Sequence, residues 1–165
     1  MIYFILSIIL LIADQISKFY TVKLLSDGES VIFIDNILAF TRRHNTGGPW
    51  SIFDGNIAIF IIVTIIIIGI GTWYILKHPL KSPLAKTAVS LVASGAFGNL
   101  IDRIFRGYVV DMLEVKFIDY PVFNFADCCI VVGCVLMCVY VIFFYKEPAK
   151  EEKSDSGVEN KDGEI

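Results

Sequence analysis

The sequence predicts an all-α membrane protein with four transmembrane helices and a small β-sheet or hairpin element outside the membrane. Of its 165 residues, 56% are hydrophobic, whereas soluble domains are about 45–50% apolar. The apolar residues are concentrated in four long segments rather than spread along the chain. A helix needs about 20 such residues to cross a bilayer, so these segments indicate spanning helices.

Two of the four segments, residues 56–76 and 125–145, are long and apolar enough by themselves. The first segment, residues 2–24, keeps its apolar pattern beyond two charged residues. No positive charge precedes it and no small-residue cleavage site follows, so we expect a retained helix rather than a signal peptide. The third segment, residues 84–102, is rich in Ala, Ser and Gly, which is typical of a helix packed inside a bundle.

Lysines are concentrated in the loop of residues 77–86 and at the start of the tail. The positive-inside rule therefore predicts that both termini are cytoplasmic and that the other two loops lie outside. In the first outer loop, two β-rich runs, residues 30–34 and 37–42, flank Asp35-Asn36, which predicts a hairpin with a two-residue turn. Residues 1–146 then form one membrane domain, and the charged tail of residues 147–165 is predicted to be disordered.

All four cysteines fall within one apolar segment that has no His nearby. This arrangement predicts neither a disulfide framework nor a metal site, and the thiols are read as packing groups. The sequence has no basic patch interleaved with aromatic residues and no glycine-rich phosphate loop, so we expect no nucleic-acid partner. Its net charge of −3 is dominated by the acidic tail and indicates no ligand class.

Charged side chains within a spanning segment cost roughly 2.5–3.5 kcal/mol each on insertion scales, so they are the first candidates for function. Asp14 and Lys18 lie one helical turn apart, a spacing that permits an ion pair. Small residues of the third segment would turn Asn99 and Asp102 into the bundle, with Arg103 at its outer end. These residues either hold the bundle together or take part in chemistry, and the sequence alone leaves both open.

Two further acids lie at the predicted outer boundary of the membrane. Asp127 is near the start of the fourth helix and shares a face with Asn124, whereas Asp111 lies in an apolar, β-like run of the second outer loop. Two carboxylates beside one water can hydrolyse an amide, because one accepts the water's proton while the other polarises the carbonyl. The residues by themselves also fit an ion-coupled transporter or an inert scaffold.

Five sequence blocks, in the same order, resemble the lipoprotein signal peptidases (signal peptidase II), a bacterial family of membrane aspartic proteases. The blocks are residues 14–18 (DQISK), 45–51 (NTGGPWS), 98–103 (GNLIDR), 109–112 (VVDM) and 123–127 (FNFAD). The resemblance implies that Asp111 and Asp127 are catalytic. It implies substrate-binding or supporting roles for Asp14, Lys18, Asn45, Gly47, Asn99, Asp102, Arg103 and Asn124.

One departure from the family pattern is Gly48-Pro49, where two small apolar residues are usual. Proline fixes φ and lacks an amide hydrogen, so we expect the loop to follow a different path. This difference indicates either a changed substrate preference or a divergent paralogue. The resemblance implies removal of the signal peptide from diacylglyceryl-modified prolipoproteins, on the amino side of the lipidated cysteine. It also implies the bacterial cytoplasmic membrane with the active site at its outer face, contact with membrane lipid, no metal or organic cofactor, and inhibition by globomycin-type cyclic peptides.

The surroundings of the two acids predict which one carries their shared proton. Asp127 is expected in the first turn of a helix, where free amides and the helix dipole favour a negative charge. Asp111 is flanked by apolar residues, and burial raises the pKa of a carboxyl group. We therefore expect Asp127 to be the carboxylate and Asp111 to hold the proton, an order that a close approach of Arg103 to Asp111 would reverse.

Overall fold

The computed structural model describes residues 1–48 and 54–145, which form four helices and three strands. The predicted disordered tail and Pro49 lie outside the described residues. In chain order the elements are α1 (Ile2–Leu24), β1 (Ser30–Ile34), β2 (Leu38–Asn45), α2 (Ile57–Lys77), α3 (Pro83–Arg106), β3 (Val109–Val115) and α4 (Phe125–Phe143). The predicted class, four apolar helices with a small sheet, is confirmed.

All four helices are long and apolar enough to cross a membrane. The helix α3 continues four residues beyond its predicted end at residue 102, because its last turn is closed only at Gly107. Gly107 has φ 75°, the left-handed conformation that commonly ends a helix. The helix α4 ends at Phe143, two residues before its predicted end.

The helix α3 lies at the centre of the bundle, between α1 and α4, and has the most buried residues. Its glycine and alanine residues allow the backbones to approach closely. A Cβ atom on Gly95 of α3 would collide with the carbonyl oxygen of Ala126 in α4. In the other direction, a Cβ atom on Gly133 of α4 would lie 2.8 Å from the carbonyl oxygen of Ala88 in α3. The prediction that the third helix packs inside the bundle therefore agrees with its contacts.

The three strands form one antiparallel sheet in the order β1-β2-β3. The predicted two-residue turn is wrong: Ile34 pairs with Leu38, so three residues connect β1 to β2. Asn36 takes φ 57° in this turn, a conformation that Asn tolerates better than most residues. The strand β2 continues to Asn45, because its last residues pair with β3, for example Asn45 with Val109.

Two contacts fix the sheet to the end of the bundle. The Arg42 guanidinium donates to the carbonyl oxygens of Val22 and Leu25 at the end of α1, at 3.2 and 3.0 Å. The backbone N–H of Val110 in β3 donates to Oδ2 of Asp102 in α3, at 3.2 Å. The strand residues Asn45 and Asp111 are consequently held over the ends of α3 and α4.

Candidate active site

Asp111 and Asp127 are brought together from the sheet and from the first turn of α4. Asp111 is only 3% exposed, whereas Asp127 is half-buried. Asn124 joins them: its side-chain Nδ2 donates to Oδ1 of Asp111 at 2.7 Å, and its backbone N–H donates to Oδ2 of Asp127 at 3.1 Å. The Asn124 Oδ1 atom accepts the backbone N–H of Asp127 at 2.9 Å. Asn124 is therefore the N-cap of α4 and the bridge between the acids.

Asn99 forms a second bridge behind the acids. Its Nδ2 donates to Oδ1 of Asp127 at 2.8 Å. Its Oδ1 accepts from Nδ2 of Asn124 at 3.2 Å and from Nζ of Lys18 at 2.9 Å. Because Asn99 contacts both groups, the acids and the charged residues of α1 belong to one hydrogen-bonded network.

The predicted ion pair between Asp14 and Lys18 is present, and the structure adds a third member. The fully buried Nζ of Lys18 lies 3.0 Å from Oδ2 of Asp14 and 2.9 Å from Oδ2 of Asp102. Asp14 also accepts the backbone N–H of Ala126, and Asp102 accepts from Nε of Arg106 at 3.1 Å. These three charged side chains tie α1, α3, α4 and β3 together, and none of them hydrogen-bonds directly to Asp111 or Asp127.

The first loop reaches Asp111 from the other side. Nδ2 of Asn45 donates to Oδ2 of Asp111 at 2.8 Å, and Oδ1 of Asn45 accepts the backbone N–H of Gly47 at 3.0 Å. Nη2 of Arg103 donates to the carbonyl oxygen of Gly47 at 3.2 Å. Asn45 therefore contacts Asp111 directly, while Gly47 bonds to Asn45 and Arg103 bonds to Gly47.

The Arg103 guanidinium lies over the ring of Phe60 in α2, 4.8 Å from its centroid. Within residues 1–48 and 54–145, it forms no ion pair with Asp111 or Asp127. A close approach of Arg103 to Asp111 would have reversed the expected proton assignment. The described ion pairs do not include such a contact.

The surroundings of Asp111 favour its protonated form. Burial, together with the nearby charge of Asp127, raises the pKa of Asp111 from 3.8 to about 7. Hydrogen bonds from Asn45 and Asn124 lower this pKa, but by less than burial and Asp127 together raise it. A carboxyl group with this pKa exists in both protonation states near neutral pH, which suits a group that alternately donates and accepts a proton.

Two contributors to the site were missed by the sequence reasoning. The first is Arg106, which pairs with Asp102. The sequence contains a signal for this ion pair, since the two residues are four apart in one helix. Phe60 is one of many apolar residues in α2, and nothing in its sequence context indicates a contact with Arg103. Within residues 1–48 and 54–145, no three His, Cys, Asp or Glu side chains are grouped to hold a metal ion.

The family model of signal peptidase (SPase) II matches residues 6–143 of the chain. The chain belongs to the signal peptidase II family. The lipoprotein signal peptidase of Enterococcus faecalis is 40% identical over 153 residues, which cover 93% of this chain and 94% of that protein. The lipoprotein signal peptidase of Lactobacillus johnsonii is 38% identical over 141 residues, 86% of this chain and 92% of that protein.

The fold is similar to a solved bacterial membrane enzyme, with a TM-score of 0.81 and 30% identity over 88% of this chain and 92% of that one. The resemblance inferred from the five sequence blocks is therefore confirmed. Family membership favours a protease over the transporter and scaffold alternatives. The chain is a multi-pass membrane protein of a family that processes prolipoproteins.

Proposed function

We propose that the chain is an aspartic endopeptidase that removes the signal peptide from diacylglyceryl-modified prolipoproteins, cutting on the amino side of the lipidated cysteine. The observation that carries this proposal is the bridging of Asp111 and Asp127 by one residue, Asn124. The bridge gives both carboxyl groups fixed positions, and the pKa of Asp111, about 7, allows the pair to hold one proton near neutral pH.

In the proposed reaction, the Asp127 carboxylate accepts a proton from water while the water oxygen bonds to the scissile carbonyl carbon. Asp111 donates its proton to the carbonyl oxygen, which gives a neutral gem-diol. Asp127 then protonates the amide nitrogen, Asp111 takes a proton from one of the two hydroxyl groups, and the C–N bond breaks. The pair returns to its starting state, so no cofactor is needed for turnover.

The remaining site residues support this chemistry in two ways. Asn45 and Asn99 each donate to one acid, so they orient its oxygens. Lys18 lies between Asp14 and Asp102 and places a positive charge behind Asn99. Arg103 holds the Gly47 carbonyl, which positions the first loop beside the acids.

The sheet that carries Asp111 also has an apolar edge, which suits a substrate anchored in the lipid. The edge strand β1 exposes at least half of Val31, Ile32 and Phe33, and such an apolar strand is suited to the membrane interface. The lysines of the α2–α3 loop support a cytoplasmic location for that end and for both termini. The acids then face the outer surface, where globomycin-type inhibitors would compete with the substrate.

The test is cleavage by the purified chain in detergent of a diacylglyceryl-modified precursor and of the same precursor without lipid. Mass spectrometry of the products should give a lipidated cysteine at the new amino terminus, from the modified precursor only. Asp111→Asn and Asp127→Asn should each reduce the rate by orders of magnitude, because Asn cannot exchange the proton. Asp119→Asn is the matched control, an exposed acid of the same loop. Near-normal cleavage by either active-site variant contradicts the proposal.

A further inference from the structure

A groove of about 650 Å³ lies at the end of the bundle opposite Asp111 and Asp127. We call it the distal groove. It runs between the start of α1, the end of α2 and the first half of α3. Its lining includes Tyr3, Ser7, Leu76, Lys86, Ser90 and Ala93.

The distal groove exists because hydrogen bonds hold α1 against α3, whereas α2 packs less closely against the other helices. Oγ of Ser90 donates to the carbonyl oxygen of Tyr3 at 3.0 Å, and Oγ of Ser7 donates to the carbonyl oxygen of Ser90 at 3.3 Å. The helix α2 packs mainly against α3, and none of its residues is buried. Both serine hydroxyls donate their hydrogen bonds to carbonyl oxygens of the protein. The remaining lining of the groove is mostly apolar, so hydrocarbon fills it better than water does.

One cation, Lys86, lies at the distal groove. Lys86 is half-buried, and its Nζ lies 5.7 Å from the centroid of the Tyr3 ring. Among the described residues, Lys86 has no ion-pair partner. Lys77 and Lys81 are nearby in the chain, and residues 1–13 and 57–101 contain no Asp or Glu. Within the part of the chain that the structure describes, the charge at the groove therefore complements an anion.

We propose that the distal groove binds one anionic phospholipid, with an acyl chain between α1 and α2 and its phosphate at Lys86. The volume lies within the range of about 300–1,000 Å³ that is typical of ligand pockets. A basic side chain near an anionic lipid is favourable, and the apolar lining adds the contribution of the buried acyl chain. The lipid fills the gap beside α2 and stabilises the folded chain by mass action.

The test is native mass spectrometry of the delipidated full chain titrated with palmitoyl-oleoyl phosphatidylglycerol. Palmitoyl-oleoyl phosphatidylcholine and inorganic phosphate are titrated in parallel. One phosphatidylglycerol should bind per chain, phosphatidylcholine should bind more weakly, and inorganic phosphate should not bind. Lys86→Gln should weaken phosphatidylglycerol binding about five-fold, the loss expected for one cation near an anionic lipid. Lys23→Gln, an exposed lysine at the other end of α1, should bind as wild type does.

A second variant and a second measurement separate loss of binding from loss of folding. Ala93→Phe fills the distal groove and should abolish binding of both lipids, while circular dichroism shows unchanged helix content. Phosphatidylglycerol should raise the Tm of wild type but not that of Ala93→Phe. Neither substitution lies in the catalytic machinery, so cleavage in lipid-free detergent should be retained. Loss of cleavage in both variants would contradict the assignment of the groove to lipid.

Other occupants give different outcomes, each of which overturns the proposal. Equal binding of both lipids that is insensitive to Lys86→Gln means non-specific contact with the bilayer. Binding that appears only after deletion of residues 147–165 means that the acidic tail occupies the lysines. Displacement of the lipid by the isolated signal peptide, with a raised KM in Ala93→Phe, assigns the distal groove to the substrate. None of these outcomes alters the predicted loss of cleavage in Asp111→Asn, so failure here is distinguishable from failure of the proposed function.

Discussion

Nδ2 of Asn124 lies 2.7 Å from Oδ1 of Asp111, so the residue that begins α4 also holds the acid that lies on the sheet. The same residue caps the helix: its Oδ1 accepts the backbone N–H of Asp127, and its own backbone N–H donates to the Asp127 carboxylate. The position of Asp111 relative to Asp127 therefore depends on the integrity of one helix cap. The cap and the bridge can be separated by mutation.

Substitution of Asn124 should distinguish these two roles. Asn124→Ala removes both and should destabilise the chain by about 1 kcal/mol through the lost cap, with a decrease in kcat. Asn124→Ser keeps a capping oxygen but loses the Nδ2 donor to Asp111, so it should be more stable than Asn124→Ala while kcat still falls. The measurements are thermal unfolding in detergent and steady-state cleavage. Wild-type kcat in Asn124→Ser would show that the bridge is not needed.

Removal of the buried ammonium should be far more damaging than removal of an exposed one. Lys18→Met leaves Asp14 and Asp102 without the cation that lies 3.0 and 2.9 Å away. Breaking a buried ion pair by removing one partner costs about 3–5 kcal/mol. The matched control is Lys23→Met, since Lys23 is exposed in the last turn of the same helix. The free energies of unfolding of the two variants, measured by thermal unfolding, should differ by most of that amount. Equal values would contradict a structural role for Lys18.

Alanine should have opposite effects at two helical glycines, because Gly95 packs against α4 whereas Gly71 in α2 faces open space. A Cβ on Gly95 would collide with the Ala126 carbonyl oxygen and lie 2.7 Å from Cγ1 of Ile130. Gly95→Ala should therefore cost about 1–3 kcal/mol through overpacking. Gly71 in α2 has nothing within 4 Å of such a Cβ, so Gly71→Ala should be neutral or stabilising by up to about 1 kcal/mol. Loss of stability in both variants would show that the effect is not one of packing.

Local patterns were sufficient to predict the helices and much of the site. Apolar segments of spanning length give the helices without knowledge of their partners. The spacing of Asp14 and Lys18 predicts their ion pair, because both residues lie on one helix. The position of Asp127 in the first turn of α4 also follows from its place before an apolar run.

Pairings between distant segments could not be predicted in the same way. Nothing in the sequence gives Asp102 as the second partner of Lys18, or Asn45 as a donor to Asp111, since both depend on how the helices and the sheet pack. The pairing of β2 with β3 and the three-residue turn containing Asn36 are missed for the same reason. Register depends on side-chain packing across strands rather than on local propensity.

The raised pKa of Asp111 gives stability a defined pH dependence. The unfolded chain releases this proton near pH 3.8, whereas the folded chain holds it until about pH 7. Between these values folding takes up a proton, so stability should fall as pH rises and level off above the folded pKa. The full difference is about 4 kcal/mol, at about 1.4 kcal/mol per pKa unit.

Asp111→Asn isolates this contribution from the other buried acids. The variant cannot ionise at this position, so its stability should fall less than that of wild type between pH 4 and about 7. Denaturant unfolding of both proteins across this window measures the difference. Parallel curves would contradict the raised pKa.

We expect the shared proton to reside on Asp111 while Asp127 is the carboxylate. Asp111 is buried, with a pKa raised to about 7 by burial and by Asp127. Asp127 lies in the first turn of α4, where free amides and the helix dipole favour a negative charge. Its carboxylate also accepts from Nδ2 of Asn99 and from the backbone N–H of Asn124, and hydrogen bonds to an anion stabilise it.

A pH–rate profile reports the coupled pair and cannot assign the proton to one residue. Infrared difference spectra of isotopically labelled Asp can, when wild type is compared with each Asn variant near neutral pH. The protonated-carboxyl band should vanish in Asp111→Asn and persist in Asp127→Asn. In the second variant it should be lost at a lower pH than in wild type, because removal of the neighbouring negative charge lowers the pKa of Asp111. Asp119→Asn, an exposed acid of the same loop, should leave the band unchanged. Disappearance of the band only in Asp127→Asn would reverse the roles of acid and base in the proposed reaction.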